Sequence, residues 1–167
     1  SPKLKAALIE GALSTGCHVL DVGLIPTPLL NFALATLDTV NSGVMVTASH
    51  NPAEDNGFKI YYNQQVISGA EILGLKTAMD ARIWHSGQGE RKQLDVVDEY
   101  TAAAVKNITC GSKQLRVVID CANGATGPIA PALFEALGCE VIPLYCDIDG
   151  TFPNHPPDPS VPDNLID

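Results

Sequence analysis

The sequence predicts a layered α/β fold in two parts. Short apolar strands alternate with helices along the 167 residues, and 46% of the side chains are hydrophobic. This alternation is typical of domains in which helices pack against a sheet. A polar, glycine-containing stretch at residues 85–92 separates the first series of elements from a second β-α-β unit. No apolar run approaches the ~20 residues of a membrane span.

The elements of the first part follow from apolar spacing and turn residues. Ser1 and Pro2 predict an N-cap and a first helical position, and Gly16 predicts the end of that helix. The capping-box spacing of Ser68 and Glu71 opens another helix, which we expect to reach Trp84. Between them we predict strands at 17–23, 43–47 and 58–62 and a helix at 29–37.

In the second part we predict a helix at 95–108, a strand at 115–120, a helix at 129–137 and a strand at 140–144. From residue 147 on, the chain holds five prolines and no periodicity. Two strands and one helix are too few to close a sheet. We therefore expect a first domain at 1–90, a connecting helix or linker at 91–112, and a truncated second domain at 113–167.

The net charge and the cysteine spacing argue against several classes of ligand and site. The formal net charge is −9, which argues against a general affinity for nucleic acid or anionic membrane. Residues 1–92 hold seven basic and eight acidic side chains, whereas 93–167 hold three and eleven, so the first part suits an anionic ligand better. The five cysteines form no C-x-x-C pair. They indicate neither a disulfide framework nor a zinc site, and they fit a reducing, cytoplasmic setting.

A polar loop at residues 48–57 (ASHNPAEDNG) follows one apolar strand and precedes another, a usual ligand position in α/β domains. Ser49 offers a hydroxyl, His50 an imidazole, and Lys59 an ammonium group. Phosphoryl transfer through serine needs a proton acceptor and charge neutralisation. Either His50 or Lys59 would serve as acceptor, and Mg²⁺ suits phosphoryl oxygens. The same residues also fit a plain turn whose side chains bond the backbone.

Two other sequence patterns bear on the function. The sequence contains no G-x-S-x-G elbow, which disfavours a serine hydrolase. Residues 118–127 (VIDCANGATG) look like a strand-to-helix phosphate loop, but they match neither G-x-G-x-x-G nor a Walker A motif. We interpret them as a structural turn.

At the serine loop the sequence resembles the α-D-phosphohexomutase family. T-A-S-H-N-P at 47–52 and D-N-G-F-K at 55–59 match that family's active-site serine signature. GLIPTPLLNFA at 23–33 resembles the segment before this loop, and residues 115–159 resemble the start of the second domain. The run DGTFPNHPPDP is most similar to the bacterial phosphomannomutase/phosphoglucomutase branch, although Pro156 replaces the second histidine of its PNHHPDP.

The resemblance implies an α/β/α phosphoglucomutase-like domain with a mixed sheet, followed by a truncated second α/β domain. It also implies an intramolecular phosphotransferase that interconverts hexose 6-phosphate and hexose 1-phosphate, with mannose and glucose phosphates as substrates. Ser49 is then the phosphoserine that forms a bisphosphorylated sugar intermediate, and its phosphoryl oxygen binds Mg²⁺. His50 and Lys59 assist the proton transfers. Most Mg²⁺ ligands are expected outside this chain.

Several family motifs do not occur in the sequence: the D-G-D-G-D-R metal loop, the G-E-x-S-G sugar loop, the arginine-rich phosphate clamp and the R-x-Y-D-I-R-G opening run. We therefore expect a fragment that is inactive alone, with hexose phosphate and bisphosphate as partners and neither nucleic acid nor membrane. The oligomeric state is not predicted. Two alternatives stay open. One is a phosphoglucosamine mutase, expected to differ around residues 139–159, and the other is an inert phosphosugar-binding or structural module.

Overall fold

The structure is a computed structural model and describes residues 2–52 and 54–165. The predicted N-cap Ser1 lies outside the described residues. The helices are α1 (Pro2–Ser14), α2 (Thr27–Thr36), α3 (Ala70–Asp80), α4 (Val97–Asn107) and α5 (Ala130–Ala136), with a 3₁₀ turn at Pro162–Leu165. Within the described ranges, no helix combines the length and apolar character needed to cross a bilayer.

In the part of the chain that the structure describes, the strands form three small sheets. They are β1 (Val19–Asp21), β2 (Ser42–Val46), β3 (Phe58–Tyr62), β4 (Gln65–Val66), β5 (Arg91–Gln93), β6 (Arg116–Asp120) and β7 (Glu140–Leu144). β1 pairs with β5 and β6 pairs with β7, both in parallel, whereas β2, β3 and β4 form an antiparallel sheet. Parallel and antiparallel pairing therefore both occur, as expected for a mixed α/β protein.

The chain divides into two compact units. Unit 1 takes in the described residues of Ser1–Gly23, Leu30–Thr47 and Asn56–Asp95, and unit 2 those of Leu24–Leu29, Ala48–Asp55 and Val96–Asp167. The predicted domain boundaries at residues 90 and 113 stay predictions.

In unit 1, helix α2 packs closely on strand β2. Leu30 and Leu34 on the helix are buried. A Cβ added to Gly43 would lie 3.2–3.3 Å from their side chains, tighter than ordinary van der Waals contact. The glycine therefore lets the helix approach the strand.

A buried carboxylate joins three elements of unit 1. The side chain of Asp21, at the end of β1, is 3% exposed, and Lys5 of α1 and Arg91 of β5 each approach one of its oxygens to 2.6 Å. The backbone N–H of Gly23 donates a further bond of 2.9 Å to the carboxylate. Burial alone would raise the pKa of Asp21, but the hydrogen bonds from Lys5, Gly23 and Arg91 outweigh burial and hold the pKa below its ordinary value.

Unit 2 is built around the β6-α5-β7 unit. Residues of β6 pair in register with β7, from Arg116 with Glu140 to Asp120 with Leu144. Helix α5 connects the two strands, and Gly138, with φ at 88°, follows its end. Left-handed backbone is the usual way in which a helix ends, and glycine adopts it at no steric cost.

The observed helices and strands follow the predicted ones closely, with three differences. The helix predicted to reach Trp84 ends at Asp80, and Arg82 beyond it adopts a φ of 53°. The short strand β4 was not predicted. Strand β5, which pairs Arg91 with Val19, was not predicted either; it begins within the polar stretch at 85–92, whose residues are almost all exposed, as expected.

Strand β5 is held by backbone bonds that a local pattern does not reveal. Gly89 N–H donates to Leu13 O at 2.8 Å, and Val19 N–H donates to Glu90 O at 2.8 Å. A Cβ on Gly89 would lie 1.9 Å from Cys17 O, so only glycine permits this approach. The glycines of this stretch therefore serve close packing here rather than flexibility.

The substitution Asp21→Asn tests the role of the buried carboxylate. Because both cations lose their charged partner, we expect the free energy of unfolding at neutral pH to fall by about 2–3 kcal/mol. Glu140→Gln is the matched control, because its pair with Arg116 joins side chains that are 53% and 69% exposed. We expect this control to lose less than about 1 kcal/mol. Chemical denaturation measures both changes.

Comparison of the wild type with Asp21→Asn at different pH values gives a second test. Because the folded pKa of Asp21 is lowered, its contribution to stability is complete above the unfolded pKa of about 4 and is lost as the pH falls through the folded pKa. The stability gap between wild type and Asp21→Asn should therefore close in acid. A gap that does not change with pH would contradict this account.

Candidate active site

The base of the serine loop is closed by strand pairing in unit 1. Val46 at the end of β2 pairs with Phe58 at the start of β3. The N–H of Thr47 donates to Gly57 O at 2.9 Å. A Cβ on Gly57 would lie 3.0 Å from Thr47 O, so glycine suits this close crossing. This close approach explains the glycine at position 57 of the D-N-G-F-K motif.

Ser49 occupies a strained position in the loop. Its φ is 61°, in the left-handed region, which costs a serine about 1 kcal/mol because Cβ crowds the carbonyl oxygen. Its side chain is exposed, and a turn follows in which Asn51 N–H donates to Ala48 O at 3.1 Å. Strained backbone at an exposed polar residue is a feature that clusters at functional sites.

His50 lies beside Ser49 rather than pointing away from it. Ser49 Oγ and His50 Nδ1 are 3.4 Å apart, and the donor depends on the imidazole tautomer. Adjacent side chains diverge in an extended strand, but the left-handed backbone at Ser49 brings these two together. The distance is longer than a standard hydrogen bond, so the contact is weak in this state. It still places an imidazole nitrogen next to the hydroxyl.

The second half of the loop is bonded to itself. Asn51 Nδ2 donates to Asp55 Oδ2 at 3.2 Å, and Asp55 N–H donates to Pro52 O at 3.0 Å. These bonds are what a plain turn predicts for Asn51. These hydrogen bonds fix the shape of the loop that carries Ser49, so Asn51 and Asp55 have a structural role.

Lys59 lies on β3 in unit 1, where it pairs with Met45. Its side chain is half-buried. Within the part of the chain that the structure describes, no carboxylate forms an ion pair with its ammonium group. The cation is therefore not neutralised by a described carboxylate.

A second polar cluster in unit 2 was not predicted. His155 Nε2 lies 2.9 Å from Asp120 Oδ2, and its Nδ1 lies 2.8 Å from Pro156 O. Both partners are acceptors, so the arrangement suits a doubly protonated imidazolium. The ring of Tyr145 stands edge-on to that of His155, with 5.5 Å between centroids. His155 belongs to the PNHPPDP run, but its partner Asp120 is 35 positions away, and no local pattern joins them.

Asp120 and His155 line a cavity of about 250 Å³ together with Thr126, Asp158 and Asn164. Asp158 accepts bonds from the hydroxyl and the N–H of Ser160 at 2.7 and 2.9 Å. The Ser160 hydroxyl, the Ser160 N–H and, to a smaller extent, the charge of His50 lower the pKa of Asp158. His50 therefore lies within electrostatic reach of this carboxylate.

Residues 118–127 form the structural turn that the sequence suggested. Ala122 and Asn123 have φ values of 44° and 55°, and Asn123 is buried. Its amide donates to Asp147 O and accepts from Asn154 Nδ2, both at 2.8 Å. The backbone and side chain of Asn123 thus hold the segment that follows β7.

The described residues do not assemble a metal centre. Among residues 2–52 and 54–165, no three His, Cys, Asp or Glu side chains are grouped so that they could hold a metal ion.

These features define a mixed α/β protein with an exposed serine loop, and comparison with known proteins identifies the family. Residues 1–82 match the model of phosphoglucomutase/phosphomannomutase α/β/α domain I, and residues 98–167 match that of α/β/α domain II. The chain therefore belongs to the phosphoglucomutase/phosphomannomutase family. The predicted resemblance and fold class are confirmed.

Individual relatives agree with the family models. A phosphomannomutase/phosphoglucomutase of Pseudomonas putida is 46% identical over 99% of this chain, and a phosphoglucomutase of Neisseria meningitidis is 40% identical over 99%. The chain spans 35% and 36% of these two proteins. The crystal structure of a family protein from Burkholderia thailandensis, 44% identical, superposes with a TM-score of 0.92 over 98% of this chain and 37% of that one.

Proposed function

We propose that this chain carries the phosphoryl-transferring serine of a hexose-phosphate mutase, an intramolecular phosphotransferase that interconverts hexose 6-phosphate and hexose 1-phosphate. The observation that carries the proposal is Ser49, which is exposed, strained and 3.4 Å from an imidazole nitrogen, within the match to domain I. The names of the relatives support mannose and glucose phosphates as substrates. Because those relatives are about three times as long, the activity belongs to a longer polypeptide.

The reaction proceeds in two transfers. A hydroxyl of the hexose monophosphate attacks the phosphorus on Ser49, the new P–O bond forms, and the bond to Oγ breaks. The proton of the sugar hydroxyl leaves to a base, and Oγ recovers a proton. The bisphosphorylated sugar then reorients and returns its other phosphoryl group to Ser49 by the reverse steps. An exposed serine suits this chemistry because the substrate must approach in line with the P–O bond.

His50 and Lys59 assist these transfers. The Nδ1 atom of His50 stands beside Oγ, where it can hold the proton that Oγ gives up or regains. Lys59, not neutralised by a described carboxylate, supplies positive charge for a phosphoryl dianion or accepts a proton. The serine loop and the strand that follows it thus contribute the carrier and its helpers.

Mg²⁺ is the proposed metal, and an oxygen of phosphorylated Ser49 is its proposed ligand in this chain. When bound, the ion neutralises charge on the phosphoryl group. Its other ligands are proposed to lie elsewhere in the full-length protein. The proposed partners are the hexose phosphate and the bisphosphate. The negative charge argues against nucleic acid, and five free cysteines fit a cytoplasmic setting.

Ser49→Ala in the full-length protein tests the assignment of the carrier. Removing Oγ leaves no atom to hold the phosphoryl group, so we expect the mutase rate to fall by at least about three orders of magnitude. The rates of the wild type and the variant are measured with mannose, glucose and glucosamine 1-phosphates. The preference of the wild type among these substrates also distinguishes a phosphomannomutase/phosphoglucomutase from a phosphoglucosamine mutase. Ser42→Ala is the control, since this hydroxyl is exposed and donates to the neighbouring Asn41 Oδ1. Full activity of Ser49→Ala would refute the proposal.

Lys59→Met tests the role of the cation on β3. Methionine keeps most of the length of the side chain and removes the charge, so we expect the single-turnover rate of phosphoryl transfer to fall by about 100-fold. In the control Lys76→Met, the lost partner is Asp80 on the exposed surface of α3, and the rate should be unchanged. Equal rates in the two variants would mean that Lys59 serves only the fold.

A further inference from the structure

Two cysteines stand side by side at the carboxyl ends of β6 and β7 in unit 2. Cys121 directly follows β6, and its N–H donates to Leu144 O at 3.0 Å. Cys146 follows β7 by two residues. The two Sγ atoms are 3.5 Å apart, with Cys146 as donor, although the residues are 25 positions apart in sequence. Both thiols are free.

We propose that Cys121 and Cys146 form a site of oxidative modification, at which a peroxide converts the two thiols to an intramolecular disulfide. The sequence pattern did not indicate such a pair, because it shows no C-x-x-C spacing. The pairing comes from the parallel register of β6 and β7, which brings the two strand ends together.

The surrounding backbone holds the cysteines in place. A Cβ on Gly127 would lie 1.9 Å from Cys146 O, so the backbone of Cys146 packs directly against Gly127. Asn123 N–H donates to Tyr145 O at 2.8 Å, which ties the turn after Cys121 to the residue before Cys146. A disulfide has an S–S length of about 2.0 Å, so the sulfur atoms must approach by roughly 1.5 Å.

The two thiols differ in access, and this difference assigns their roles. Cys121 is buried, whereas Cys146 is half-buried. Burial, together with the contact with Cys146 and the negative charge of Asp120, raises the pKa of the Cys121 thiol to about 12. Cys121 therefore stays protonated. The peroxide meets Cys146 first, and Cys121 serves as the resolving thiol.

The chemistry balances in two steps. The sulfur of Cys146 attacks one peroxide oxygen, the S–O bond forms, the O–O bond breaks, and the leaving hydroxide takes the thiol proton to give water. The sulfur of Cys121 then attacks the sulfenic acid, the S–S bond forms and the S–O bond breaks. The leaving hydroxide takes the Cys121 proton as a second water. The two thiols lose two electrons in total, and hydrogen peroxide gains them.

Peptide mapping of the purified full-length protein tests the proposal. The folded protein is treated with hydrogen peroxide, the remaining thiols are alkylated, and the chain is cleaved after glutamate. Cleavage at Glu135 and Glu140 puts Cys121, Cys139 and Cys146 on different peptides, and trypsin at Arg116 then separates Cys110. We expect one linked pair, Cys121 with Cys146, lighter than the separate peptides by two hydrogen atoms and released by a thiol reductant.

Two variants provide controls. Cys139→Ser should leave the linkage unchanged, whereas Cys146→Ser should abolish it. Recovery of Cys121 and Cys146 as separately alkylated peptides from folded, peroxide-treated wild type would overturn the proposal, as would equal linkage of either cysteine to Cys110 or Cys139. Because the wild-type map alone decides between these outcomes, the test does not depend on the variants folding.

Discussion

The antiparallel pairing of β2 with β3 is the constraint on which the candidate site depends. It ends in the bond from Thr47 N–H to Gly57 O, 2.9 Å long, at a crossing that a Cβ on Gly57 would crowd. Both ends of the serine loop are therefore fixed in unit 1. Between these ends, Asn51 Nδ2 donates to Asp55 Oδ2, and the backbone at Ser49 is left-handed, with a φ of 61°.

The helices and strands of the fold were largely predictable because they carry local signals. β3 and β7 were predicted with the observed bounds, since each is a short run of apolar and β-branched residues between turn signals. β5 was not, because Arg91–Gln93 is polar and becomes a strand only through its distant partner β1. The helix predicted to reach Trp84 ends at Asp80, and the N–H groups of Ala81 and Arg82 donate to carbonyl oxygens of the last helical turn. The spacing of apolar residues gives no sign of this ending.

In the candidate site, too, the local sequence identified some features, whereas others depend on residues far apart in the chain. Ser49, His50 and Lys59 are local in sequence and were named from it, but their roles rest on the family and stay predictions. The φ of Ser49, which decides that His50 lies beside it, has no sequence signal. The contact of Cys121 with Cys146 depends on the register of β6 and β7, and the bond between Asp120 and His155 joins residues 35 positions apart. Long-range pairing of this kind becomes visible only in three dimensions.

The central claim is that Ser49 is the phosphoryl carrier, and site-resolved phosphopeptide mapping of the full-length protein tests it most directly. The protein is incubated with a hexose bisphosphate and digested, and the phosphorylated side chain is located by fragmentation that distinguishes Ser49 from Thr47 and Ser42. The account predicts phosphate on Ser49, and its loss when a hexose monophosphate is added. Phosphate on Thr47 or Ser42, or an active mutase that carries none on Ser49, would contradict it.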